Sequence, residues 1–259
     1  MSRDSTVRVL LVAFCVCLIC SVLVSAAAVG LKNRQERNKQ IEKRRNILQI
    51  ANIYDPAKTV DEQFKDIRMR IVDLGSGQFK ADIDPATFDS RLAARDKQSS
   101  YSIPADKDIA GIKSRSRYME VYLVADQGRL QQIILPVYGK GLWSTMYGFI
   151  ALGPDFSTIT GFGFYEHGET PGLGGEIDNP VWLAKWPGKV VYDHNGEVRI
   201  TVIKGTVEAG SPDARHKVDG LSGATLTARG VGNLLNYWLG ENGYQTFLHS
   251  MQKSGGVLP

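Results

Sequence analysis

Asp219-Gly220-Leu221-Ser222-Gly223-Ala224-Thr225 runs directly into Leu226–Leu239, and the change of texture between the two organises the chain. Ala228, Val231, Leu235 and Trp238 recur at spacings of three, four and three, with Leu234 and Leu239 beside them. That spacing lays one apolar stripe along a helix of about four turns. The helix is predicted to start at Ala224 or Thr225, with Ser222 or Asp219 placed to cap it. A helix start presents unpaired N–H groups and a partial positive charge, and both draw phosphate. Gly220 and Gly223 let the backbone close on a bulky anion, and a hydroxyl at Thr225 would stand beside it. On the residues alone two readings stay open: a phosphate site, or a glycine-rich loop ending in an ordinary helix cap.

The 259 residues leave room for one membrane anchor and one sizeable domain, or for two small domains. Val9–Leu31 are 23 consecutive positions without a charge. At about 1.5 Å per residue they span a bilayer core of roughly 30 Å. A cleaved signal peptide competes, because Val24-Ser25-Ala26 reads as a cleavage site. The apolar run continues past those small residues, which favours a retained anchor. The net charge of +4 is unevenly placed: Lys32, Arg34, Arg37, Lys39, Lys43, Arg44 and Arg45 follow the apolar run against Glu36 and Glu42. A run of this kind that abuts an anchor and lacks interleaved aromatics suits lipid headgroups better than nucleic acid. Sidedness is in conflict. The basic run would hold the domain in the cytoplasm by the positive-inside rule. Yet all three cysteines (Cys15, Cys17, Cys20) lie within the apolar run, and a thiol-free domain suits an oxidising compartment.

Further along, charged residues to about Ile53 read as a helix leading out of the membrane, interrupted at Pro56. Val60, Phe64, Ile67 and Ile71 recur at helical spacing and predict a second amphipathic helix. Asp84-Pro85-Ala86-Thr87 reads as a cap with Pro at the first turn of a short helix through Ala94. Lys97–Arg117 is polar and without signal. From Tyr118 the pattern is strand-like. Tyr118–Ala125 and Arg129–Tyr138 flank an Asp126-Gln127-Gly128 turn, and Tyr147–Leu152 and Ser157–Glu166 flank Gly153-Pro154-Asp155. Val190–Asp193 and Glu197–Lys204 flank Asn195-Gly196, the strongest hairpin signal in the chain. Antiparallel pairs with helices at the ends predict an α+β domain.

Between the second and third strand pairs lies His167-Gly168-Glu169-Thr170-Pro171-Gly172-Leu173-Gly174-Gly175, a loop by its four glycines and proline. Trp143, in Gly139-Lys140-Gly141-Leu142-Trp143-Ser144-Thr145-Met146-Tyr147-Gly148, stands among glycines, either to stack on a planar ligand or as a packed interface residue. Lys204, after a predicted strand and before Gly205, could pair with a phosphate or be a solvated surface lysine. The four histidines do not fall at ligand spacing, which argues against a metal site. His167 and Glu169 could form an acid–base pair or be two solvated polar residues. No dinucleotide fingerprint follows a strand and no Walker loop is present, so neither NADH nor ATP is expected to bind.

Asp-Gly-x-Ser-Gly-Ala-Thr resembles the flavinylation motif of membrane redox subunits, the covalent FMN-binding domain family that serves the sodium-translocating NADH:quinone reductases. The resemblance implies that Thr225 carries FMN through a phosphoester, placed there from FAD by a flavin transferase, with Asp219, Ser222, Gly223 and Ala224 completing the motif. Glu-Thr-Pro-Gly-Leu-Gly resembles the family's second signature. It implies Leu173 against the flavin ring, with Glu169, Thr170 and Gly174 near its polar edge. Trp143 would stack on the flavin, and Lys204 could approach its phosphate. The resemblance also implies a subunit without substrate chemistry of its own, relaying electrons among the other membrane and peripheral subunits of a bacterial inner-membrane complex. Its domain would be periplasmic, and no nucleic-acid partner is implied. The expected layout is a tail at 1–8, a transmembrane helix at 9–31, a helical juxtamembrane and N-terminal part at 32–114, and a mixed or antiparallel-sheet FMN-binding domain at 115–259. Two alternatives stay open: the equivalent subunit of a ferredoxin:NAD oxidoreductase, and a flavin-free assembly subunit with a vestigial motif.

Overall fold

Strict alternation decides the centre of the fold. In the computed structural model, which describes residues 5–208 and 210–255, β1 (Ile67–Asp73), β2 (Gln78–Phe79), β5 (Tyr118–Asp126), β6 (Arg129–Lys140), β7 (Thr145–Leu152) and β8 (Ile159–Glu166) form one six-stranded sheet in the order β2-β1-β5-β6-β7-β8. Every pairing in it is antiparallel. Asp126 faces Arg129 across a two-residue turn, with Gln127 and Gly128 both at positive φ (47° and 79°). That is the turn whose twist matches the strands it joins.

The first helix, α1 (Thr6–Ile50), is one element of 45 residues that contains the apolar run. It is long and apolar enough to cross a membrane. Residues 1–4, which hold Arg3 and Asp4 of the expected tail, lie outside the described residues. The chain divides into two compact units, Met1–Lys43 and Arg44–Pro259. Within the second, Ile47, Leu48 and Ile50 are buried at the end of α1. A Cβ on Gly161 of β8 would collide with the Ile50 carbonyl, so glycine there lets this last turn approach the sheet.

Several expectations give way. The predicted amphipathic helix through Ile71 is a single turn, α2 (Val60–Phe64), held by a capping box between Thr59 and Glu62. Beyond it Ile67, Met69 and Ile71 alternate with Arg68 and Arg70, and that two-residue period wins: the stretch is β1, paired along its length with β5. Asp84 makes a local turn through the Ala86 N–H. The short helix, α3 (Ser90–Ala93), instead starts at Asp89, whose carboxylate accepts from the Arg91 and Leu92 N–H groups. The polar segment carries its own hairpin, β3 (Ser100–Ser102) on β4 (Ser114–Ser116). At Asn195-Gly196 the turn forms but the hairpin does not. Arg199 and Ile200 both donate to the Val191 carbonyl, and only a Tyr192–Val198 bridge remains. After α4 (Pro180–Leu183), β9 (Thr201–Val202) pairs in parallel with β10 (Lys217–Val218).

The motif helix, α5 (Thr225–Leu239), lies on β6, followed by α6 (Gln245–Lys253). Its predicted stripe is the observed one: Ala228, Val231, Leu235 and Trp238 are buried. Backbone contact is close. A Cβ on Gly139 would meet the Leu234 Cβ at 2.6 Å, and one on Gly230 would collide with the Lys140 carbonyl. Trp238 Nε1 donates to the Tyr138 carbonyl at 2.7 Å, tying helix to strand from within the core.

Candidate functional site

The site is assembled from three loops. β9 and β10 run in parallel and end together, at Ile203-Lys204-Gly205 and at Asp219-Gly220. The Gly220 N–H donates to the Gly205 carbonyl at 2.8 Å, and a Cβ on Gly220 would collide with the Ile203 carbonyl. This close crossing sets Lys204 beside the motif. Neither predicted cap is used. Asp219 Oδ1 accepts from the Val207 N–H at 2.7 Å and Oδ2 from Lys185 Nζ, while its carbonyl accepts from Trp182 Nε1. Its carboxylate is therefore spent on the loop, and the Lys185 ammonium and the Val207 N–H hold its pKa below the ordinary value. Ser222 is exposed, Gly223 turns the chain at φ 72°, and the cap position falls on Ala224, which has no side-chain oxygen. The first N–H groups of α5 thus stay open to a ligand, with Thr225 exposed at the helix start.

A groove of ≈ 230 Å³ runs from Thr225 along α5. Lys204 and Arg229 line it, with Asn233 and Asn236 further along the same face. Arg229 escaped the sequence reading. Its signal was its place four residues after Thr225, one turn on along the same side.

Glu169 joins the three loops. Its carboxylate, 4% exposed, accepts from the N–H groups of Leu142 (3.1 Å), Trp143 (3.0 Å) and Ser144 (3.1 Å), and from the Thr227 hydroxyl at 2.6 Å. Glycines make room: a Cβ on Gly141 would meet Oε1 at 2.5 Å, and one on Gly174 would meet Thr227 Oγ1 at 2.6 Å. Burial alone would raise the Glu169 pKa, but the Thr227 hydroxyl and the three N–H groups outweigh it and hold the group below its ordinary value. Thr227 was passed over because it lies away from Thr225 around the helix, which is how it reaches Glu169. Glu169 and His167 are no acid–base pair. His167 Nδ1 accepts from the Glu169 N–H at 3.2 Å, so Nε2 carries the proton and donates to Asp178 at 2.7 Å.

The clamp turns apolar side chains outward. Trp143 is 70% exposed, and Leu142, Leu173 and Leu226 are about half exposed. Leu173 lies against Gly223, where a built Cβ would touch its Cδ2 at 3.0 Å. The Thr170 carbonyl accepts from the Leu173 and Gly175 N–H groups, and Gly174 is buried, opening the turn Gly174–Asp178. Thr225 therefore stands between a basic groove and exposed apolar side chains, a setting that fits a phosphate joined to a flat apolar ring. Among the described residues no group of three or more metal-ligating side chains occurs.

Residues 141–240 match the FMN-binding domain family. The NqrC protein of the Na(+)-translocating NADH-quinone reductase of Pseudomonas aeruginosa is 51% identical over 256 residues, covering 97% of this chain and 98% of that protein. The chain belongs to the NqrC family of the Na(+)-translocating NADH-quinone reductases. It is 48% identical over 257 residues to the corresponding Yersinia pestis protein, covering 97% of this chain and 95% of that one. The crystal structure of Shewanella oneidensis NqrC, 38% identical, matches with a TM-score of 0.77 over 84% of this chain and 99% of that chain. Between the two related complexes, the NqrC family of the quinone reductase is the one these likenesses select.

Proposed function

We infer that this chain is the electron-relay subunit of a Na(+)-translocating NADH:quinone reductase and that it carries FMN through a phosphoester to Thr225. The observation that carries the attachment point is the position of that hydroxyl, at an uncapped helix start, beside a groove lined by Lys204 and Arg229. A bound FMN supplies one- and two-electron chemistry, and the protein supplies placement and surroundings. The open N–H groups of α5, with Lys204 and Arg229, hold phosphate. Leu173 and Trp143 offer apolar surface to a ring and keep water from its face. Glu169 does not reach out to the ligand; it fixes the turn that carries Trp143 against the helix that carries Thr225.

For attachment, the Thr225 hydroxyl gives up its proton and its oxygen bonds to the FMN phosphorus of FAD. The pyrophosphate bond breaks and AMP leaves, with a flavin transferase as the catalyst. A covalent carrier suits a relay, because it is not lost on reduction. We place residues 9–31 of α1 in the inner membrane as a single-pass anchor and the domain on the periplasmic side.

Thr225→Val keeps the β-branch and removes the oxygen. Mass spectrometry of the peptide from Ser222 to Arg229 should show FMN minus water on the parent chain matured with its transferase, and none on Thr225→Val. Modification persisting in the variant would move the attachment point; its absence from the parent chain would overturn the reading.

A further inference from the structure

Lys140 and Thr145, which face each other at the base of the Trp143 turn, also wall a second cavity, of ≈ 300 Å³, that the flavin reading leaves unused. Arg91 and Arg95 reach it from either side of α3 and Lys113 from the β3–β4 connection, while Tyr138 and Tyr147 supply stacked rings (centroids 5.5 Å apart). None of the described residues that line it is acidic. Arg91 is satisfied: it holds Glu166 through two hydrogen bonds, of 2.7 and 3.0 Å, and lies 3.6 Å over the Tyr147 ring. Arg95, Lys113 and Lys140 have no carboxylate in ion-pair range among the described residues, so three like charges share one hollow. Tyr138 is the second, independent observation. It is 8% exposed, and its hydroxyl is buried without a hydrogen-bond partner. Buried polar groups are nearly always paired, so this orphan asks for an acceptor. Burial also pushes the phenol well above its ordinary pKa, which keeps it a donor.

We propose that this cavity is an anion site for a phosphate group, held by the Tyr138 hydroxyl and by Arg95, Lys113 and Lys140. Phosphate fits better than carboxylate because a dianion with three free oxygens answers three cations and a hydroxyl, where a carboxylate brings one charge. The group could come from a soluble phosphate compound or from a lipid headgroup. Either way it would lie against Lys140 and Thr145, at the foot of the turn that presents Trp143.

The test uses the full, flavin-loaded chain in nanodiscs, with inorganic phosphate titrated by calorimetry and thermal unfolding. In phosphatidylcholine discs, phosphate should bind and raise Tm. Tyr138→Phe, Arg95→Ala and Lys113→Ala should each weaken binding about tenfold, the loss of one hydrogen bond or contact to a charged group. Without phosphate, Tyr138→Phe should be at least as stable as the parent, since it removes an orphaned hydroxyl. Discs containing phosphatidylglycerol separate the sources: a response already saturated there marks a headgroup site, and an undiminished one marks a soluble ligand. Phosphate binding of equal strength in the parent and all three variants, or none in phosphatidylcholine discs, would overturn the proposal. Loading FMN at Thr225 keeps the groove beside α5 out of the measurement, and a flavin found elsewhere would leave these three variants just as informative.

Discussion

Glu169 is the residue on which the candidate site turns, and its chemistry predicts both a stability and a pH effect. Glu169→Gln keeps one acceptor but turns an NH2 group toward donors that already crowd the site: the N–H groups of Leu142, Trp143 and Ser144 and the Thr227 hydroxyl. A lost hydrogen bond to a charged group costs about 1.5–3 kcal/mol, so we expect a loss near the top of that range. The sign of the pH dependence follows from a depressed folded pKa. The carboxylate's contribution is fully present above its unfolded value of about 4.5. It is lost as the pH falls through the lower folded value. Denaturation of the two chains at pH 7 should therefore differ, and the gap should close toward pH 3. A gap that stays constant would show that the ionised group is not the clamp. Trp143 should also become more mobile in the variant, which its fluorescence anisotropy reports. Much of this scale was legible: Thr225, Leu173 and Trp143 stood out by motif or by contrast with their neighbours. The inward turn of Glu169 was not, because its partners lie 25 to 58 residues away and are mostly backbone N–H groups, which carry no side-chain signature.

At the scale of elements, α5 and β6 are packed so closely that glycine is required, and Gly230 tests this. Alanine within a helix is favoured over glycine by about 1 kcal/mol from propensity. Here the new Cβ would collide with the Lys140 carbonyl, a backbone atom that cannot swing away. Overpacking costs typically 1–3 kcal/mol, so Gly230→Ala should be destabilising by about 1 kcal/mol net and should push α5 from the strand. Chemical denaturation gives the first quantity, and flavin fluorescence of the loaded chain should report the second. A stabilised variant would mean that propensity outweighs contact and that the packing is looser than it looks. The sequence showed α5, its face and four of the long strands, since each carries a period over many residues. It misled at Ile67–Asp73, where Ile67 and Ile71 satisfy both a helical and a two-residue spacing and only pairing with β5 decides. At Asn195-Gly196 the turn chemistry held, but the flanking ladder depended on the distant strand β10.

For the whole molecule, the open question is which side of the membrane holds the domain, and two physical signals disagree. Seven basic residues follow the apolar run, and charge alone would keep them in the cytoplasm. Against this stands a domain without cysteine: all three thiols fall between Cys15 and Cys20. The structure adds a reason to discount the charge. Lys32 to Arg45 do not form a separate loop but continue the same helix that holds the apolar run, down to Ile50. On a continuous helix, lysine and arginine side chains can lie along the membrane surface on either face, where anionic headgroups attract them. Their number then reports contact with lipid as much as orientation. We expect the domain on the periplasmic side. Protease added to spheroplasts should digest it from Arg44 onward, leaving a membrane-held fragment that ends within the basic stretch. A cysteine placed at Ser254, exposed just after α6, should react with an impermeant maleimide in the same spheroplasts. Protection from both reagents until lysis would show that the basic run had set the orientation after all, and it would require flavin attachment to occur inside the cell.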